Sequence, residues 1–555
     1  GGFTQRTSLR ATRLAVHKTT LEQTLIRTYD LAYVQDPLAS HSLLAGVTLT
    51  GFLFEEGEEV EQVPSLQFEY TLFEPARRTL AAFRSAADDG PPGLSSPTVD
   101  IIDLEGFGLP GVIEGTELVH RYWPNRGGGA WGFPVRIREF PQGASLDDER
   151  VRFGDMDGDG RADLLVSSGA LTGFYPGEAG ITWGRLRPYL RNRPTFDARD
   201  RHVRLMDANA DGRVDAVVAG SNGLLFYEGR GADGWAEDPT PIPLRRDDPT
   251  FPDVNFADSR VRLADMSGDG LTDVVRIFAR HLEYWPNLGT ARWDNRKVLF
   301  LSGGPSRMDP ERCHLADING DGLADVIYVD DDAIYVWVNR QGESMSVAVR
   351  VAYPPPAATA TVRATDMLGT GTAGLLFGLS QRAGQRDPYR FIDFTGGAKP
   401  YMLRRINNGV GKITEIFYGS STAHRVRDRD QGQDWTTFLP RAVQVVDRIR
   451  QTDTITGREA TLTYRYHNGH YDGHSQRFGG FGIVDLEEIL ADQEGRGLPG
   501  GEMQCQALEE SLEPEVAHVD TEEPERPALH ECPGERVALL DVALEDVVAL
   551  DPQPR

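Results

Sequence analysis

Cysteine is scarce in this 555-residue sequence. Cys313, Cys505 and Cys532 form no metal-binding spacing and no even framework, so the fold must stand without disulfides. No apolar run approaches the roughly 18 residues that a membrane-spanning helix needs, so direct membrane insertion is not expected. Basic residues are outnumbered, 58 Lys+Arg against 84 Asp+Glu, for a formal charge of −26. With that sign and no basic block, nucleic acid is not expected as a partner. A Ser-centred elbow, a Cys/His pair in a credible context and a phosphate loop are all missing, which removes the common hydrolase and nucleotide-binding classes. The start, GGFTQRTSLR, has neither a methionine nor the charged-then-apolar plan of a signal peptide, and reads as a cut end.

The acidity that is present is unevenly placed. Residues 485–555 hold 20 acidic and 4 basic side chains, so most of the net charge belongs to a carboxy-terminal stretch. Length sets a prior of two to four structural units. The 60 glycines and 34 prolines indicate many turns.

Internal repetition organises the rest. DMDGDGRADLLV begins at Asp155, DANADGRVDAVV at Asp207, DMSGDGLTDVVR at Asp265 and DINGDGLADVIY at Asp317. Two worn copies flank them, DLEGFGLPGVIE from Asp103 and DMLGTGTAGLLF from Asp366. Successive first aspartates are 52, 52, 58, 52 and 49 residues apart. Twenty residues after the first aspartate stands an aromatic in five copies: Trp123, Tyr175, Tyr227, Trp285 and Trp337. The runs after each loop are short and rich in β-branched residues, which favours strands. Six units of about fifty residues, each with several short strands, imply an all-β six-bladed propeller. A parallel β-solenoid is the main competitor, but its repeats would be about half as long.

Outside the repeats, residues 25–35, 43–54, 401–419 and 458–469 read as longer alternating strands, with a hairpin turn in NNGVG. Domain boundaries are expected near residues 90 and 400: strands over 1–90, the propeller over 91–400, further strands over 401–484 and an acidic tail over 485–555. Within the tail, residues 536–550 could form a helix.

Carboxylates at positions 1, 3, 5 and 9 of a turn converge when glycines at 4 and 6 allow positive φ. Several like charges in so small a space repel, and an all-oxygen donor set suits calcium. The expected ligands are Asp155, Asp157, Asp159 and Asp163 with the Arg161 carbonyl; Asp207, Asn209, Asp211 and Asp215 with Arg213; Asp265, Ser267, Asp269 and Asp273 with Leu271; and Asp317, Asn319, Asp321 and Asp325 with Leu323. Up to four structural calcium ions are expected, as staples and not as catalytic centres. The worn copies, with Phe107 and Gly111 or with Leu368, Thr370 and Gly374, are expected to hold none. An EF-hand is rejected because position 12 is Val166, Val218, Arg276 or Tyr328, never the bidentate Glu.

Other constellations weigh less. His467, His470 and His474 have a spacing that could bind zinc, but a hairpin tip with solvated imidazoles accounts for them. The aromatics at the twentieth position could stack sugars, although one per blade in fixed register is what a repeated core needs. FEEGEEVEQ, residues 54–62, reads as a charged loop between strands.

The motifs LADMSGDGLTDVVRI with EYWPNLG, LADINGDGLADVIYV, RFIDFTGGAKPYMLRRINNGVG and YHNGHYDGHSQRFGGFGIV, in this order, resemble the B component of the Tc insecticidal toxin complexes and the related SpvB-type and TcdB-middle proteins. The resemblance runs from about residue 20 to 484. It implies a six-bladed propeller with FG-GAP/VCBS-like calcium loops, flanked by Rhs-type β-sheet shell segments. It also implies a secreted, non-enzymatic protein. In that family a C component completes a cocoon around a toxic polypeptide, and the propeller gates the cocoon and docks on a pentameric A-component channel. The sequence departs from the pattern in three ways: only the last strands of the SpvB-type region are present, the Tyr-Asp repeats are absent after residue 484, and the acidic tail matches nothing in it. A truncated or split protein that needs another Rhs chain is therefore expected, since its sheets would otherwise keep open edges. The alternatives are a secreted calcium-stabilised adhesion or carbohydrate-binding propeller, and an ADP-ribosyltransferase of the sort fused to some SpvB-type proteins. The Arg, Ser-Thr-Ser and Glu-x-Glu set of the latter is not arranged here.

Overall fold

The computed structural model describes residues 9–506, apart from 20–22, 53–58, 87–89, 140, 192, 210, 246, 290–291, 352–359, 380–387, 474–475, 492–496 and 499–501. His474, most of the 54–62 loop, Cys532 and the helix expected over 536–550 lie outside the described residues.

Six four-stranded antiparallel sheets form the blades of a β-propeller. The second blade shows the plan: Val151–Gly154, the acidic loop, Asp163–Val166, Gly173–Tyr175 and an outer strand Arg187–Pro188. The sixth blade is assembled from both ends of the repeat array. Ala360–Thr365, Gly374–Leu379 and Tyr389–Ile392 are completed by Ala81–Ala82, with Arg390 opposite Ala82 and Phe391 opposite Ala81. The ring is thus closed by a strand on the amino-terminal side of residue 90. A closed ring leaves no sheet face without a neighbour, and the core lies between blades.

One cluster joins Val275 and Tyr284 of the fourth blade to Cys313, Val326 and Trp337 of the fifth, and the next joins Ile327 and Val336 to Leu375 and Phe377 of the sixth. This explains the unbroken apolar runs after each loop. Their strands are covered on both faces, and each Leu, Ile or Val buried there contributes about 1.5–3 kcal/mol. The repeated aromatics belong to the same cores: Trp123, Trp285, Trp337 and Tyr227 are buried and Tyr175 is half-buried.

The segments before and after the propeller build one twelve-stranded sheet. Gln23–Gln35, Ser42–Phe52 and Leu66–Tyr70 follow one another, and then Leu403–Asn407 pairs with Leu66–Tyr70, Ile406 facing Phe68. Lys412–Ser420, Gln444–Asp453, Glu459–Asp472 and Arg477–Ala491 continue it. The propeller is therefore an insertion between two neighbouring strands of a shell sheet. A helix, Ser421–Asp430, interrupts the shell. Ser420 caps it by accepting from the Ala423 N–H at 3.2 Å, and Arg427 and Arg429 sit in its last turn, where cations suit the helix dipole.

Candidate metal centres and docking face

All six loops share one backbone device. The first aspartate accepts N–H groups from the turn that follows it: Asp155 from Gly158, Asp159 and Gly160 at 2.7, 3.2 and 2.8 Å. Asp103 in a worn copy accepts from Gly106, Phe107 and Gly108 at 2.8, 2.8 and 2.6 Å. Asp366 does the same with Gly369, Thr370 and Gly371. Gly158 and Gly160 stand at φ of 80° and 86°, a conformation that strains any residue with a Cβ, so the glycines at positions 4 and 6 follow from the turn. Consecutive loops are also tied together. The carbonyls of Asp155, Asp265 and Asp317 accept from Val214, Ala324 and Ala373 of the next loop at 3.0, 2.7 and 2.8 Å.

The aspartate at position 9 has another environment. Asp163, Asp215, Asp273 and Asp325 are fully buried. In Asp163 one oxygen accepts from Met156 N–H at 2.8 Å and the other from Gly177 N–H at 2.9 Å. Asp273 takes the Met266 and Asn287 N–H groups at 2.9 and 2.7 Å, and Asp215 and Asp325 repeat the pattern. Each links the loop to the turn after the blade's third strand. Burial pushes Asp163 up to about 8, and Asp215 and Asp273 to about 7. In the worn copies a neighbouring ring takes this space: a Cβ at Gly111 would collide with Tyr122, and one at Gly374 with Phe391.

Positions 3 and 5 distinguish the loops. Asp155, Asp157 and Asp159 each present an oxygen within 4.8 Å of the others, the one such grouping among the described residues. Asp157 Oδ2 meets Arg187 Nη1 at 2.6 Å, whereas its Oδ1 is buried and has no hydrogen-bond partner. Burial first, then the neighbouring carboxylates, pushes Asp155 up to about 6. This set fits a hard divalent cation, which would give that orphaned oxygen a partner and balance the converging charge. The other three candidate metal loops have neutral side chains at position 3. Asn209 and Asn319 bridge to Asp211 and Asp321, and Ser267 Oγ lies 3.4 Å from Asp265 Oδ1. At position 7, Arg161, Arg213, Leu271 and Leu323 each donate their N–H to the position-5 carboxylate, at 2.8, 2.9, 3.0 and 3.0 Å.

The loops are also where the shell meets the propeller. Arg161 stacks over Phe438 at 3.8 Å, and Arg425 of the helix stacks over Phe107 at 3.3 Å. Gln444 Nε2 donates to the Thr370 carbonyl at 2.5 Å, and Thr422 Oγ1 to that of Phe107 at 3.1 Å. On the fifth blade His41 Nε2 lies 3.2 Å from Asp321 Oδ2. The first loop meets a guanidinium: Arg429 Nη1 lies 3.7 Å from Glu105 Oε1, both side chains being about nine-tenths buried. The sequence reading missed this docking role and the helix behind it. The signal available was the run of arginines at 425, 427 and 429.

Among the described residues, His467 faces carboxylates and not His470. Its Nδ1 is 2.7 Å from Asp428 and its Nε2 3.2 Å from Asp485, in a cavity of about 360 Å³ that Trp435 also lines. His470 is exposed.

Residues 340–495 match the family model described as the insecticide toxin TcdB middle/N-terminal region. Among solved structures, the Photorhabdus luminescens Tc holotoxin pore shares the fold with a TM-score of 0.68 at 23% identity, over 84% of this chain and 21% of that one. The TcdB2-TccC3 crystal structure matches with a TM-score of 0.59 at 22% identity, over 86% of this chain and 23% of that one. The chain therefore spans between 21% and 23% of the length of these two. No curated protein matches. The family match bears out the TcdB-middle resemblance over residues 340–495, and the solved structures bear out the fold it implied.

Proposed function

We propose that this chain is a non-enzymatic component of a Tc-like toxin complex, in which the propeller is the gate and docking module of a toxin-enclosing Rhs shell. The observation that carries the reading is the insertion of a closed propeller between two paired strands of a single shell sheet, Leu66–Tyr70 and Leu403–Asn407. A rigid ring mounted this way can form the end wall of a larger shell. Its blades contact only their neighbours, so its rim can shift while each sheet stays intact. The shell needs further strands, and the partner proposed to supply them is a C component or another Rhs chain. A pentameric A-type channel is the proposed docking partner, and the assembly acts outside the producing cell. Chemistry on a bond has no assigned place in this chain.

Calcium is proposed as a structural ion, first of all in the loop of Asp155, Asp157 and Asp159, with the loops of Asp207, Asp265 and Asp317 as further sites. Bound there, it supplies a fixed positive charge at the docking face. The buried aromatics speak against a sugar-stacking rim and so against the adhesion reading.

The test is co-expression of the full chain with an Rhs-type C chain, followed by size-exclusion chromatography with and without a pentameric channel. Co-migration with both supports the proposal. A chain that elutes alone in every mixture rejects it.

A further inference from the structure

The outermost strand of each blade is a sheet edge, and five blades can be compared there at one register position, opposite the residue two before the repeated aromatic. That position holds Arg136 on the first blade, Pro188 on the second, Pro241 on the third, Val298 on the fourth and Arg350 on the fifth. Proline has no N–H to offer a passing strand, and a charged side chain makes pairing costly, so both protect an edge. Valine does neither. The sixth blade ends in two residues only, Ala81–Ala82.

The outer strand of the fourth blade is Lys297–Phe300, with the β-favouring sequence KVLF. Just beyond it the Leu301 N–H donates to the Arg280 carbonyl at 2.8 Å. Main-chain groups alternate in direction along a strand, so Val298 and Phe300 turn their N–H and C=O away from the blade. On that outward side the neighbours are already engaged: Arg296 N–H donates to the Pro249 carbonyl at 2.9 Å, and the Ser302 carbonyl accepts from Ala348 N–H at 3.0 Å. Among the described residues no main-chain hydrogen bond reaches Val298 or Phe300 from that side. Their side chains are open as well, Val298 being 39% and Phe300 71% exposed, whereas Leu299 and Leu301 are buried in the core shared with the fifth blade.

The rim beside this gap is aromatic and basic. Phe278 and His281 stack at 4.5 Å, and His281 lies 6.1 Å from the Phe300 ring. Arg276 and Arg296 share the carboxylate of Glu283, at 2.6 and 3.2 Å, on the register row of Val298. Lys297 is paired with Glu343 at 3.1 Å. Arg280 is exposed and pairs with no carboxylate among the described residues. Three guanidiniums therefore stand against one carboxylate, in a chain whose formal charge is −26. A second copy docked edge to edge would bring these like charges together, so the rim favours a strand of opposite sign.

We propose that the outer strand of the fourth blade is a β-augmentation site, which takes one extended segment of a partner protein whose alternate side chains are apolar and acidic. The segment's main chain pairs with Val298 and Phe300, its apolar residues lie against those two side chains, and its carboxylates reach Arg280 and Arg296. A four-residue strand spans about 13 Å, so a short stretch of the partner suffices. This inference concerns the outer rim and does not rest on the toxin-complex reading.

The test is selection of a displayed library of random octapeptides on the full chain, followed by fluorescence anisotropy of the enriched peptides after synthesis. Enriched sequences should alternate apolar residues with Asp or Glu. Val298→Pro should weaken their binding at least about fivefold, the loss of one hydrogen bond, and Phe300→Lys should also weaken it. Melting curves should match the unmutated chain for both variants, because the Val298 N–H serves no bond within the blade and the second and third blades already carry proline at this position. Methylating the peptide nitrogens in one alternate set should abolish binding, and methylating the other set should spare it. The proposal is overturned if no peptide is enriched, if binding is indifferent to both variants, or if methylation in either set has the same effect. Self-association of the chain that Val298→Pro abolishes would assign the edge to a second copy and overturn it equally.

Discussion

The first and second loops of the propeller share a backbone and differ in what balances their charge. In both, the opening aspartate gathers three N–H groups of the turn. The second loop then adds Asp157 and Asp159, which bring their oxygens together with those of Asp155. The first has Glu105 and Phe107 at those positions, and both face arginines of the shell helix, Glu105 through Arg429 and Phe107 beneath Arg425. The turn is therefore separable from the charge at positions 3 and 5. The aspartate at position 1 makes the turn in every blade, whereas positions 3 and 5 carry converging carboxylates in the second loop and contacts to the shell in the first.

The largest effect that would sharpen this comparison is expected at a residue on the loop's inner side. Asp163→Ala strands the buried Met156 and Gly177 N–H groups, and should lower stability by about 3 kcal/mol or more in urea unfolding with or without calcium. A calcium-dependent loss would mean that Asp163 acts mainly through an ion. Next comes Arg429→Ala, which leaves the buried Glu105 facing less positive charge and should cost about 2–3 kcal/mol. Hydrogen exchange should rise in residues 421–443 and stay unchanged in the fourth blade, and a uniform rise would contradict a local docking role. Removing calcium by chelation should lower the melting temperature by several degrees, roughly 1–2 kcal/mol. Asp157→Asn with Asp159→Asn should abolish part of that response without altering the chelated protein much.

The last effect is read as a slope against pH. Burial pushes Asp103 up to about 6 from its usual value near 3.8. The folded state therefore holds the proton more tightly, so stability gained from this group is present at low pH and is lost as pH rises from about 4 through 6. The change is at most about 3 kcal/mol. Comparing wild type with Asp103→Asn across that window should show a flatter slope in the variant, and parallel slopes would refute the assignment.

Most of the propeller could be read from the chain because its loop chemistry repeats. Asp, Gly and Asp at fixed offsets, followed by four or five apolar residues, announce a turn and a doubly covered strand each time. Ala81–Ala82 left no trace, since two alanines have no periodicity and their role comes only from ring closure. Ser421–Asp430 offered only its run of arginines: STAHRVRDRD has no apolar stripe, because it buries Thr422, His424, Arg425 and Asp428 through polar contacts. Spacing also fails to distinguish a carboxylate free to meet an ion from one that staples backbone. Position 9 opens the buried strand, and that placement is the clue that its oxygens turn toward main-chain N–H groups.

The central claim is that the propeller forms the gated end of a shell completed by another chain. Single-particle imaging of the full chain, purified with an Rhs-type C chain and a pentameric channel, tests it most directly. The account predicts a closed hollow body with the propeller at one end, seated against the channel. A free propeller beside an unclosed sheet, or a channel bound elsewhere on the body, would contradict it.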